Sequence, residues 1–174
     1  MTIIKNDTEA ADISVNRTSS DKQIFGGLIG TYLSDNTSNS LTISGISVSA
    51  DNSAGGAEYF GGLIGKADDD SYIRLENVSV SASGCKNVTS FGGIAGYADK
   101  AFIDAENVTV NTNGDFIGGG VIGNMNGGVL RLGGTTDLTG TKAAGGGQII
   151  GTRGAALIYA QNGWQLNRGE AVSF

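Results

Sequence analysis

Phe60-Gly61-Gly62-Leu63-Ile64-Gly65 decides how the rest of the chain is read, because close variants of this stretch recur along it. Phe25-Gly26-Gly27-Leu28-Ile29-Gly30 precedes it. Phe91-Gly92-Gly93-Ile94-Ala95-Gly96, Gly118-Gly119-Gly120-Val121-Ile122-Gly123 and Gly145-Gly146-Gly147-Gln148-Ile149-Ile150-Gly151 follow. The closing glycines stand at 30, 65, 96, 123 and 151, so successive copies lie 27 to 35 residues apart. A repeat of that length marks stacked units, each too small to bury its own hydrophobic face.

Between copies the chain follows one plan: a polar turn, then two runs that alternate apolar and polar residues. Leu41-Thr42-Ile43-Ser44 and Ile46-Ser47-Val48-Ser49 flank Gly45. Tyr72-Ile73-Arg74-Leu75 and Val78-Ser79-Val80-Ser81 flank Glu76-Asn77, and Phe102-Ile103-Asp104-Ala105 and Val108-Thr109-Val110-Asn111 flank Glu106-Asn107. The fourth unit has Val129-Leu130-Arg131-Leu132 and Thr136-Asp137-Leu138-Thr139 around Gly133-Gly134. Residues 3 to 24 read as an incomplete first coil, and the last unit ends in Trp164-Gln165-Leu166-Asn167. Alternation at period two predicts strands, and no stretch has helical period.

Each unit thus offers three short strands: the glycine motif and the two runs. The prediction is an all-β fold, a parallel β-helix (β-solenoid) of about five or six coils, about 25 to 30 Å long at one strand spacing per coil. A hairpin sandwich is the rival, since Asn113-Gly114, Asn126-Gly127 and Asn162-Gly163 are hairpin-turn pairs. They do not recur at one offset, which favours the solenoid. The apolar pairs of the motif, Leu63/Ile64 and its equivalents, are expected to give one interior side chain per coil, with Phe25, Phe60 and Phe91 as a second column.

Composition narrows the function. The 174 residues include 30 glycines and no proline, with 39% hydrophobic residues, no Gly-X-Y period and regularly placed apolar positions, which excludes collagen and disorder. The net charge of −6 comes without any Lys/Arg run, so nucleic acid is not an expected partner. Cys85 is the single cysteine and there is no histidine, which leaves no intramolecular disulfide and no CxxC or His-based zinc site; Cys85 falls in a polar loop and reads as a free thiol without a role. No apolar run approaches the ~18 residues of a membrane span, and Met1 to Asp7 lacks the pattern of a signal peptide. Residues 1–174 are read as one β-helix domain with its repeat core at 25–166, a fragment of a larger protein whose export signal lies elsewhere.

Gly27-Leu28-Ile29-Gly30 and Gly62-Leu63-Ile64-Gly65 resemble the GLUG motif, a Gly-Leu-x-Gly repeat of large bacterial cell-surface and secreted proteins. Gly93-Ile94-Ala95-Gly96, Gly120-Val121-Ile122-Gly123 and Gly147-Gln148-Ile149-Ile150-Gly151 keep the glycines and replace the leucine. The resemblance covers about residues 25 to 166. It implies a right-handed parallel β-helix, similar in shape to the pectate-lyase-like family, in an adhesin-like or protease-associated surface protein. It brings no catalytic residues.

Chemistry-bearing residues are few. Asp68-Asp69-Asp70 is the densest carboxylate cluster, and oxygen donors in a turn are the chemistry of a Ca²⁺ site. Without a Gly-Gly-x-Gly-x-Asp repeat, a solvated turn is the plainer reading, and no cofactor is expected. In-register stacking would place Thr42, Arg74, Asp104 and Arg131 in one outward column; Arg74, Asp104 and Arg131 form either a salt-bridge ladder or a ligand face. Glu76 and Glu106 fall at equivalent corners, as a structural repeat requires. Asn-x-Ser/Thr occurs at Asn6, Asn16, Asn36, Asn77, Asn87 and Asn107. At the repeated corner, Asn77 and Asn107 read as an asparagine stack along the helix axis. Tyr72, Tyr97, Phe102 and Tyr159 are candidates for an exposed aromatic strip that stacks on sugars, although packing is their commoner use.

These readings lead to a non-catalytic structural or adhesive segment of a bacterial extracellular surface protein, contacting a host or environmental glycan or protein. The alternative is a polysaccharide-processing lyase- or hydrolase-like β-helix, or its carbohydrate-binding accessory part. An ice-binding solenoid is disfavoured by the unequal coils and the lack of Thr-x-Thr rows. Open sheet edges at the ends predict end-to-end self-association.

Overall fold

The computed structural model describes residues 1–4, 11–18, 23–34, 40–68, 70–85, 87–113, 116–140 and 149–168. A partial coil opens the chain with β1 (Thr2–Ile4) and β2 (Ala11–Asn16). The first full coil holds β3 (Ile24–Gly26), β4 (Ile29–Leu33), β5 (Ser40–Ser44) and β6 (Ile46–Asp51). The second holds β7 (Tyr59–Gly61), β8 (Ile64–Asp68) and β9 (Tyr72–Ser83). The third holds β10 (Ser90–Gly92), β11 (Ala95–Asp99) and β12 (Phe102–Asn113). The fourth holds β13 (Gly118–Gly119), β14 (Ile122–Asn126) and β15 (Val129–Gly140). A last partial coil follows with β16 (Ile150–Arg153), β17 (Leu157–Ala160) and β18 (Gln165–Arg168). No helix occurs among the described residues.

Each strand pairs in parallel with its equivalent one coil away, in three sheets. The long sheet has nine strands (β1, β2, β5, β6, β9, β12, β15, β17, β18), the motif sheet four (β3, β7, β10, β13) and the third sheet five (β4, β8, β11, β14, β16). This is the predicted parallel β-solenoid, with about four turns rather than five or six. The difference lies at the ends: β1 and β2 join only the long sheet, and Gly145 to Gln148 of the last motif lie outside the described residues.

Two local expectations are corrected. The glycine motif is not one strand but a corner: β7 ends at Gly61, the chain bends at Gly62-Leu63, and β8 starts at Ile64. Hydrogen bonds continue through the bend, with Gly62 N donating to Gly92 O (3.0 Å) and Ile64 N to Ile94 O (2.8 Å). A Cβ on Gly61 would lie 1.7 Å from Ile64 O, and one on Gly96 would lie 2.7 Å from Phe60 N, so the outward faces of the motif and third sheets close on each other there. The middle glycine points the other way. A Cβ on Gly62 would lie 2.3 Å from Val80 Cγ1, and one on Gly93 would lie 2.4 Å from Val110 Cγ1.

The second correction concerns the two alternating runs, which from the second coil on form one 12-residue strand. Gly45, Asn77, Asn107 and Gly134 share one column and a left-handed backbone (φ 67°, 53°, 52° and 56°). That residue puts two outward side chains in a row, so Leu75 and Val78 both face inward although three positions apart. The sheet creases with its register kept between the second and third coils and with a one-residue bulge between the third and fourth, where Glu106 pairs with Gly133 and Val108 with Thr136.

Where the glycine corner presses on the Val48, Val80 and Val110 side of the lumen, the interior divides. The main core contains Leu63, Ile64, Ile94, Ile122 and the inward positions of the long sheet. Both members of each apolar pair of the second and third motifs are buried, against the one expected. A smaller core stacks Phe25, Phe60, Phe91 and Phe116 with Ala50, Ala82, Cys85 and Val88. The phenylalanine column is as expected in three coils, with ring centroids 5.0 and 5.2 Å apart. In the fourth, Gly118 pairs with Phe91, and Phe116 fills the column from two residues upstream, 4.5 Å from the Phe91 ring.

Candidate functional site

Outward side chains of the long sheet stand in rows because the ladders hold equivalent residues in register. Arg74, Asp104 and Arg131 form the expected column, continued by Thr42 and Tyr159. The ladder itself is half made. Arg131 Nε lies 3.5 Å from Asp104 Oδ1, while Arg74 leans along its own strand to Glu76 at 3.9 Å. With its carboxamide oxygen turned toward Arg131, Gln161 accepts from Nε at 3.0 Å and from Nη2 at 3.1 Å. Asp104 Oδ1 is shielded from solvent without a hydrogen bond among the described residues, so the arginine's attraction alone offsets its desolvation. Such partly exposed pairs contribute about 0–1 kcal/mol and act mainly on register.

The neighbouring crease carries the asparagine stack. Asn107 Nδ2 donates to Asn77 Oδ1 at 3.0 Å, and Asn107 Oδ1 accepts from Thr135 N at 3.0 Å. A Cβ at Gly134 would sit 2.1 Å from Asn107 Oδ1, which accounts for the change to glycine where the stack ends. The crease leaves a shallow depression of about 320 Å³ on the outer face, with Ser47, Ser79 and Thr109 beside the two asparagines. Glu76 and Glu106 pair across the same ladder, as the repeat dictates.

Of the acidic triplet, Asp68 forms an ion pair with Lys66 and accepts from the Ser71 hydroxyl through its carbonyl; Asp70 is exposed at φ 54°, and Asp69 lies outside the described residues. Among the described residues no group of three or more His, Cys, Asp or Glu is arranged to hold a metal ion. Cys85 is not in an open polar loop: its side chain is buried in the smaller core, and that burial pushes its thiol up to about 12. Arg17 Nη1 donates to Asn52 Oδ1 and to Gly55 O, both at 2.7 Å, tying the opening partial coil to the end of the first full coil.

The aromatic residues do not form one strip. Tyr72 and Phe102 stack at 4.8 Å at the start of the long sheet, and Tyr159 stands in the Arg131 column. Tyr97 lies on the third sheet, 4.8 Å from Tyr59 across the glycine corner, with Lys66 Nζ 5.5 Å from its ring centroid. The Asp68 carboxylate, hydrogen-bonded to the Lys66 ammonium, raises the lysine's pKa; partial burial and the neighbouring Glu58 raise that of Tyr59. The sequence reading missed Tyr59. Its signal is the position just before the motif phenylalanine, which in successive coils reads Ile24, Tyr59 and Ser90 and is in register with Ile117 in the fourth.

Compared with family models, with curated proteins and with solved structures, the chain matches none. The likeness to the Gly-Leu-x-Gly repeat rests on the motif residues themselves. No helix among the described residues is long and apolar enough to cross a membrane.

Proposed function

We propose that this chain is a non-catalytic structural and adhesive β-helix segment of a bacterial extracellular or cell-surface protein, which presents its outer faces to a host or environmental glycan or protein. The observation that supports this most is the outer face of the long sheet. Asp12, Ser47, Ser79, Thr109 and Asp137 stand in one column, and Ser14, Ser49, Ser81 and Asn111 in the next. Hydroxyl, amide and carboxylate groups held at strand spacing are pre-organised, so binding a long polymer costs them little ordering entropy. The motif's likeness to bacterial surface repeats supports the setting.

The test is to immobilise the chain and measure retention of a panel of polysaccharides and extracellular-matrix proteins, while assaying each polysaccharide for new reducing ends or unsaturated products. Reversible retention with the polymer intact is expected. Product release would replace this reading with a polysaccharide-processing one, and retention of nothing would remove the adhesive role.

A further inference from the structure

The outer angle between the motif and third sheets is closed by glycines at most levels, but it opens into a cleft of about 270 Å³ near the third and fourth coils. The opening follows from one residue. In the outward column of the motif sheet, Ile24 and Tyr59 fill the angle in the first two coils, whereas the third coil has Ser90. The Ser90 hydroxyl is turned away to donate to Gly96 O at 2.9 Å and is buried. Tyr59 on one side and Ile117, 64% exposed, on the other therefore bracket a gap two strand spacings tall, about 9 to 10 Å.

The walls differ in chemistry. Tyr59 offers an aromatic surface backed by the Tyr97 ring, and Ile117 an aliphatic one. Asn124 and Thr152 of the third sheet, with Thr89, supply neutral donors and acceptors. Among the described residues no Lys, Arg, Asp or Glu lines the cleft, and the nearby Lys66 ammonium is engaged by Asp68. Its floor is the backbone of Gly118, Gly123 and Gly151, and the strands there are paired coil to coil, so no bare ladder is presented to an added peptide strand.

We infer that this cleft is a binding site for one neutral pyranose unit of a glycan chain. A pyranose has an apolar C–H face that packs on an aromatic ring and a rim of hydroxyls that need neutral partners. An acidic sugar finds no cation among the described lining residues, and a purely apolar ligand would leave Asn124, Thr152 and Thr89 unpaired. At about 30 Å³ per water the cleft holds about nine waters, which matches a single sugar ring and is below the range of drug-sized pockets. The inference rests on the adhesive reading and names its ligand class.

The test is saturation-transfer NMR on the full chain with methyl β-glucoside, methyl β-galactoside, methyl α-mannoside and N-acetylglucosamine, with glucuronate and a Ser/Thr-rich peptide as comparisons. Ser90→Ile fills the gap; Ile24 already occupies this column opposite Gly65, so the substitution has a precedent within the fold. Asn124→Ala removes a wall group without touching either core. At least one neutral glycoside is expected to receive saturation, with affinity reduced about tenfold or more in Ser90→Ile and several-fold in Asn124→Ala, the latter at unchanged Tm. Loss of binding in Asn124→Ala alone, should Ser90→Ile fail to fold, carries the same meaning. Equal binding by the variants, or binding of glucuronate or peptide only, overturns the inference. If no small glycoside binds while the immobilised chain still retains glycans or proteins, the cleft assignment fails and the adhesive reading stands; if neither binds, both fall.

Discussion

Asn107 holds a backbone conformation that a residue with a Cβ seldom adopts, and its side chain bonds in both directions along the stack. Replacement by Ala would keep the strain of φ 52° and lose both bonds, at a cost of about 1–3 kcal/mol. Asn107→Gly relieves the backbone and should fall between wild type and Ala in urea denaturation. Equal stability of the Ala and Gly variants would show that the side-chain bonds alone matter. Cys85 gives a second expectation at this scale. Because burial pushes its thiol up to about 12, hardly any thiolate forms near neutral pH, and the residue is only 2% exposed. Iodoacetamide at pH 8 should label it at the rate of global unfolding. Rapid labelling of the native chain would mean that the smaller core opens locally.

The glycine corner is the element on which packing turns, and its glycines are not equivalent. A Cβ at Gly93 would lie 2.4 Å from both Gly120 O and Val110 Cγ1, backbone on one side and a buried valine on the other, neither able to retreat. A Cβ at Gly30 would meet nothing within 4 Å among the described residues. Gly93→Ala should therefore cost about 3 kcal/mol or more, and Gly30→Ala should be near neutral, as read from paired thermal melts. At Gly65, Gly96 and Gly123, which close their copies of the motif as Gly30 does, a Cβ would lie 2.4 to 2.7 Å from a residue of the preceding coil, so the place of a glycine in the stack, which the repeat does not show, also decides its cost. The crease column shows the same limit: Asn77 and Asn107 were legible as a stack, but that it bends one long strand instead of ending a short one depends on the ladder to the coils on either side.

For the whole molecule, the acidic composition sets the response to pH. Hydrogen bonds from Ser53 and Ser83 lower the Asp51 pKa, and those from Thr139 lower that of Asp137. A carboxylate whose folded pKa is depressed adds stability above its unfolded value, near 4, and loses it as pH falls through the lower folded value. Tm should thus be flat from neutrality to about pH 5 and decline below about pH 4. Asp51→Asn should flatten part of that decline. A Tm that rises on acidification would contradict this sign and point to relief of the net charge of −6 as the stronger effect.

The recurrence of Phe-Gly-Gly-Leu-Ile-Gly and the alternating runs by themselves determined that the chain is an all-β parallel solenoid, that Phe25, Phe60 and Phe91 stack, and that Arg74, Asp104 and Arg131 align. Those are statements about equivalent positions, and period alone fixes equivalence once strands pair in register. Tertiary structure decided what lies opposite what. The folding of motif and third sheets onto each other, the division of the interior into two cores, the burial of Cys85 and the cleft beside Ser90 all come from contacts between different faces of the coil. Periodicity places residues along the helix axis; how sharply each corner turns, and so which faces meet across it, is set by the side chains packed in the lumen.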